Sequence, residues 1–183
     1  LDIQGADGTG GGNAEAAETR EVRDFEDLVA LYDRRLYNLI LRLVGDRDDA
    51  ADLTQEAFYR AYRSWDSLKD WSRAYPWLCR IALNLCRNRA RDAARRPEEP
   101  LETHAAPGDG GVHGAVERAE LARRIREAMD ALPPEYRVVA VLRDMQGLSY
   151  QEIAEATGLG VDVVRTRLAR ARGMLRRRLE GFV

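Results

Sequence analysis

Arginine is the reactive vocabulary of this chain, and its spacing limits what chemistry it can do. Seven arginines fall within residues 161–180 against Asp162 and Glu180, and six within 77–96 against Asp92. Lysine occurs once, at Lys69. A guanidinium is a planar fork of donors that matches phosphate oxygens and the guanine edge, and it stays charged at any working pH. Repeated forks on one helix face therefore point to a polyanion as partner rather than to bond-making chemistry. Residues 1–58 invert this balance, with 14 acids against 6 bases, so the overall net charge of −2 conceals an acidic front and two basic patches. Such separated charge calls for different partners on different faces.

Nucleophilic and metal chemistry find little support. Cys79 and Cys86 lie seven residues apart in a helical pattern, which sets their backbones roughly 10 Å apart, beyond disulfide reach. They are expected to be reduced, half-buried thiols. The two histidines, His104 and His113, fall in a stretch that reads as a linker, so no metal ligand set and no nucleophile–base pair is expected. "GTGGG" at 8–12 is not a phosphate loop, because no strand pattern precedes it and no Gly-Lys-Ser/Thr follows. Neither an enzyme nor a cofactor is expected. No apolar run reaches 18 residues and no secretory leader is visible, which predicts a cytoplasmic protein without a membrane span.

The elements that must position these arginines are helices throughout. Phe25, Leu28, Val29, Tyr32, Leu36, Leu39, Ile40 and Leu43 step by three and four, one face of a helix over 22–44. Gly45 suits a left-handed cap and the aspartates of "GDRDD" suit the next helix start. A second helix over about 49–64 turns Leu53, Ala57, Ala61 and Trp65 inward. After the loop "DSLKDW", a third helix runs from about Pro76 to Arg95, with Leu78, Ile81, Ala82 and Leu85 on one side and Arg80, Asn84, Arg87 and Arg91 as a stripe on the other. Trp65, Trp71, Tyr75 and Trp77 crowd its start. Arginines interleaved with flat rings suit unstacked single-stranded bases, although Trp65 is better read as core.

"RRPEEPLETHAAPGDGGVHGA" is rich in Pro, Gly and acids and reads as a flexible linker. Residues 1–20 are Gly-rich and acidic and are expected to be disordered. Beyond the linker, helices are predicted at Val116–Leu132, about 135–145, 149–157 and 161–179. Ser149 with Glu152 predicts a capping box and Gly158 a helix stop. Ile153, Ala154, Leu159, Val164 and Leu168 would lock the last two helices into a helix-turn-helix, whose second helix enters the DNA major groove. Asp162, Val163, Arg165, Thr166, Arg167, Arg170 and Arg172 would be its contact residues. The expected fold is all-α, with a tail at 1–20, a helical domain at 21–96, a linker at 97–115 and a helix-turn-helix domain at 116–183.

Read from 22 to 96 and from 116 to 179, the chain resembles the extracytoplasmic-function group of bacterial sigma factors. The resemblance rests on "DLTQEAF" and "LSYQEIA" in the expected order and distance. It implies that Asp52, Gln55, Glu56 and Phe58, with Tyr59 beside them, dock on the β′ clamp coiled coil of core RNA polymerase, whose β subunit is a further contact. It implies that Trp77, Arg80, Asn84, Arg87 and Arg91, with the 66–73 loop, read and open the −10 promoter element, and that the helix-turn-helix reads the −35 element. The linker extends to roughly 60 Å at ~3.4 Å per residue, comparable with the roughly 70 Å between elements about 20 base pairs apart. An anti-sigma partner is implied as well. The competing expectation is a stand-alone helix-turn-helix repressor, which leaves the first 75-residue block without a role and gives it too little positive charge to hold DNA well.

Overall fold

A computed structural model describes residues 22–95 and 115–180, all in helices, turns or short connections. The tail, the linker with both histidines, and the last three residues lie outside the described residues, and so do the expectations that fall on them. Seven α-helices follow in chain order: α1 Phe25–Val44, α2 Arg47–Arg63, α3 Ala74–Arg95, α4 Ala115–Asp130, α5 Pro134–Ala140, α6 Tyr150–Thr157 and α7 Val161–Leu179.

Local chemistry sets the boundaries. Asp24 caps α1 by accepting from the Asp27 N–H at 2.8 Å. Gly45, at φ 81°, ends α1 in the left-handed conformation that a side chain would disfavour. Asp46 follows at once as the cap of α2, accepting from Asp49 N–H at 2.8 Å, so one five-residue stretch closes one helix and opens the next. Asp49 also receives the Arg89 guanidinium, at 2.9 Å from Nε, which pins the C-terminal part of α3 to the start of α2.

Leu28, Leu36, Leu39 and Ile40 of α1 are fully buried, and meet Ala57 and Ala61 of α2 and Leu78 and Ala82 of α3. Small residues on α2 let the three helices pack closely. Both cysteines are buried free thiols rather than half-buried ones. Desolvation pushes each up to about 12, so both are neutral and unreactive at ordinary pH.

The predicted helix over 135–145 is two structures in series. α5 passes into a π-helical turn at Val141–Met145, and Gly147, at φ 73°, ends it. The expected capping box is present: Ser149 Oγ accepts from Glu152 N–H, and Glu152 accepts from Ser149 N–H at 2.7 Å. Gly158, at φ 73°, makes the tight turn between α6 and α7. Ile153, Val164 and Leu168 are buried in the corner between these helices, with Ala154 beside them. Ser149→Ala should remove one of the two reciprocal bonds and lower stability by about 1 kcal/mol. Thermal unfolding followed by circular dichroism measures that loss, and an unchanged midpoint would mean the cap is not stabilising α6.

The two helical halves also touch. α3 packs on α6, and α1 meets α5 and the π turn, so a single buried cluster runs through both.

Candidate functional site

Three surfaces carry the residues singled out in the sequence. On α2, Asp52, Gln55 and Tyr59 recur at three and four residues and are exposed, with Glu56 half-buried beside them. Tyr59 is 56% exposed and Tyr62, one turn on, 64%. Glu56 accepts from Arg60 Nε at 2.6 Å, and the Arg63 guanidinium lies 5.9 Å from the Tyr59 ring centroid. The face is therefore acidic and amide-bearing at its N-terminal end and aromatic at its C-terminal end.

Phe58 is not on that face. It is 9% exposed and its ring meets Phe25 edge-on at 6.4 Å. Position 58 falls one step round the helix from 59, on the side of Ala57, Ala61 and Thr54, which are buried. Phe58, expected from the sequence to supply a docking ring, is packed against α1 in the free chain, and Tyr59 and Tyr62 are the rings that α2 presents outward. Tyr62 escaped the sequence reading because it lies beyond the short pattern that drew attention to the helix.

The second surface is α3 with the loop before it. Arg80, Asn84, Arg87 and Arg91 all lie exposed, one stripe as predicted, while Leu78, Ala82, Leu83 and Leu85 are buried behind it and Ile81 is partly buried. The stripe starts beside an aromatic cluster. Trp65 sits edge-on to Trp71 at 4.9 Å, to Phe25 at 5.4 Å and to Trp77 at 6.3 Å. Trp65 and Trp77 are half-buried against the core, and Trp71 is 38% exposed at the surface. The loop is ordered by two single 3₁₀ turns, Trp65–Ser67 and Trp71–Arg73. Asp70 caps the second, accepting from the Ser72 hydroxyl at 2.6 Å and from Ser72 N–H at 3.0 Å, and these bonds, the hydroxyl's first, lower its carboxyl below the usual range. A shaped loop with an outward indole beside four polar side chains is suited to receiving a flat, unstacked ring.

The third surface is the outer face of α7. Val163, Arg165, Thr166 and Arg170 are exposed near the start of the helix, as a major-groove reader requires. Val163, 43% exposed, is an apolar tip among donors. Asp162 accepts from Arg165 Nη1 at 2.9 Å, and the Thr166 hydroxyl donates to the Asp162 carbonyl at 2.8 Å. Arg172 departs from the predicted set: it pairs with Asp144 at the π turn. That bond ties α7 to the end of the α5 segment at the surface, and Arg172 itself stays exposed. Arg167 is half-buried and lines a cleft between the two halves together with Arg87. None of the described helices is long and apolar enough to cross a membrane.

Residues 28–96 match the family model for Sigma-70 region 2, and residues 122–175 that for Sigma-70 region 4. The chain is 34% identical over 176 residues to the ECF RNA polymerase sigma-E factor of Haemophilus influenzae, covering 91% of this chain and 93% of that one. It is 36% identical over 167 residues to the ECF RNA polymerase sigma factor SigW of Bacillus subtilis, covering 85% and 88%. Among solved structures, the sigma factor RpoE of Bartonella quintana, in complex with the anti-sigma factor NepR, shares the fold at a TM-score of 0.72 and 24% identity over 88% of this chain and 100% of that one. CnrH, in complex with the cytosolic domain of CnrY, aligns with a TM-score of 0.63 and 29% identity over 87% and 89%.

Proposed function

The chain belongs to the extracytoplasmic-function group of the sigma-70 RNA polymerase sigma factors, and from that premise we propose which of its surfaces does which part of promoter-specific initiation. Members of this family direct polymerase rather than catalyse a reaction of their own. The acidic and aromatic face of α2, with Asp52, Gln55, Glu56 and Tyr59, grips the β′ clamp of core polymerase. The α3 stripe and the 66–73 loop take the −10 element as it opens, with Trp77 and Trp71 offering flat surfaces and Arg80, Asn84, Arg87 and Arg91 tracking the strand. The exposed start of α7 reads the −35 element as duplex, through Val163, Arg165, Thr166, Arg167 and Arg170. Residues 21–96 and 116–183 act as the two promoter-binding domains, joined by 97–115. The protein works in the cytoplasm, beside the polymerase, and is restrained there by an anti-sigma protein.

One observation supports this reading above the rest: α2 presents acids and tyrosines on the same small chain whose α3 and α7 present arginines. A DNA repressor has no use for an exposed acidic, aromatic helix, since it repels phosphate. A protein that must hold polymerase with one face and DNA with two others needs it.

The test is reconstitution with core polymerase, followed by selection of the promoter sequences that the pair transcribes. The expected result is initiation from a restricted set with two separated elements. Lack of core binding would leave the repressor reading in place. Within the reconstituted system, Arg167→Ala should weaken discrimination at one −35 position by about 1–3 kcal/mol, while initiation on a template already melted at −10 stays intact. Equal losses on duplex and pre-melted templates would sink the assignment of α7.

A further inference from the structure

The two helical halves enclose a cavity of about 420 Å³. Leu83 and Cys86 of α3 form one wall, and Val138 of α5 with Leu159, in the turn before α7, forms the other. A water takes about 30 Å³ of liquid, and close-packed interiors leave few voids larger than that. Small-molecule sites occupy roughly 300–1,000 Å³, so the size is that of a ligand site rather than of a packing defect. Contacts across the halves hold the walls in register. Arg35 of α1 donates from Nη2 to the Gln146 carbonyl at 2.9 Å, the Tyr75 hydroxyl donates to Gln146 Oε1 at 2.6 Å, and Arg73 pairs with Glu155 on α6.

The charged groups at the cavity are mostly of one sign. Arg87, Arg137 and Arg167 line it against one carboxylate, Glu135. Arg137 carries the sharper signal. Its Nη2 donates to the Leu132 carbonyl at 3.1 Å and to the Asp130 carbonyl, at the end of α4, while its Nε is buried and has no acceptor. A buried donor on a charged group is costly to leave unpaired, and an acceptor brought in by an anion would remove that cost. Guanidinium forks match the two oxygens of a carboxylate. The apolar walls add a second demand, since an occupant gains most by burying hydrocarbon against Leu83, Val138 and Leu159.

We propose that the cavity is a binding site for a small organic acid, its carboxylate held by Arg137 together with Arg87 or Arg167 and its aliphatic or aromatic body lying between α3 and α5. Both of those further arginines are assigned above to promoter elements, Arg87 to the −10 strand and Arg167 to the −35 duplex. Resting on that assignment, the acid competes with promoter DNA for the same guanidiniums and acts as a small-molecule brake on promoter reading. No residue of α2 lines the cavity, and Asp52, Gln55 and Tyr59 lie exposed on that helix. The acid therefore acts on DNA binding and leaves the polymerase-docking face alone.

The experiment is isothermal titration calorimetry on the full chain, with decanoate and naphthoate as probes and decanol and acetate as controls. At least one of the two acids should bind saturably at a single site below millimolar concentration, decanol about tenfold more weakly, and acetate not at all. Arg137→Met keeps an apolar stem and removes the fork, so affinity should fall about tenfold. Because Arg137 also holds the end of α4, Ala90→Trp supplies an independent variant: Ala90 is exposed and lines the cavity, so a large ring there spares the core and should abolish binding. Cys86, 8% exposed on the wall, localises the site, since bound acid should slow its alkylation by iodoacetamide several-fold, with the fully buried Cys79 as the internal measure of unfolding. Saturating acid should also weaken binding to a mixed-sequence 30-base-pair duplex several-fold in the unaltered protein and not in Ala90→Trp. Failure of both acids to bind, decanol binding as tightly as they do, or affinity unchanged in both variants would overturn the site. Binding seen only after residues 98–102, "EEPLE", are replaced by glycine and serine would give the cavity to the chain's own acidic segment and equally end the proposal. Acid binding without weaker duplex binding would overturn the competition. No readout involves polymerase, so failure of core binding would count against the proposed function and leave the site to be judged by calorimetry.

Discussion

Phe58→Ala is expected to cost about 3–4 kcal/mol of stability, enough to leave much of the protein unfolded at growth temperature. The ring is 9% exposed and anchors the near end of an aromatic chain: Phe58 meets Phe25, and Phe25 meets Tyr62 at 5.1 Å and Trp65 at 5.4 Å. Truncation removes the ring from between α1 and α2, where helices joined by the short turn at Gly45–Asp46 cannot close in to fill the space. The cost of the cavity adds to the lost transfer energy. Polymerase binding will fall too, but only as far as the folded fraction falls. Phe58→Leu, which retains most of the volume, should recover both. Denaturant unfolding gives the number directly. A loss under 1 kcal/mol with polymerase binding abolished would instead place Phe58 at the interface.

Phe58 also shows where the sequence was sufficient and where it was not. Periodicity gave the seven helical segments because each has an apolar stripe with a chemical stop at its ends: Gly45, Asp46, Pro134, Ser149 and Gly158 all act as their residue types suggest. It could not separate Phe58 from Tyr59. Adjacent positions differ by about 100° round a helix, and a four-residue pattern weighs both alike; the edge of the stripe is set by where α1 crosses, which is tertiary information. The partner of Arg172 was out of reach for a related reason. On α7 alone it belongs with the other arginines, and only the π turn brings Asp144 alongside it. A π turn has no sequence mark comparable to a glycine cap. The contact between the halves was invisible as well, since Arg35, Tyr75, Gln146 and Glu155 stand up to 111 residues apart and look like ordinary surface residues one at a time.

Tyr59→Ala should lower affinity for core polymerase by about thirtyfold, the effect of losing one anchor worth ~2 kcal/mol, and leave unfolding within about 0.5 kcal/mol of the original. Tyr59 is more than half exposed, and among the described residues its ring stacks on no aromatic and has only the Arg63 guanidinium, 5.9 Å from its centroid, above it. An exposed ring of this size contributes little to the fold and gains most of its burial only when a partner covers it. The acids beside it act differently. Asp52 is exposed and solvated, so Asp52→Asn should slow association and flatten its salt dependence, with a smaller effect on dissociation. The two variants therefore separate along different kinetic axes. Surface plasmon resonance against core polymerase at two salt concentrations resolves them: Tyr59→Ala should appear mainly as faster release, Asp52→Asn as slower capture at low salt. If both behave like the unaltered protein while Phe58→Leu does not, polymerase must grip α2 by prising it from α1, and the outward face would be solvated surface with no part in docking.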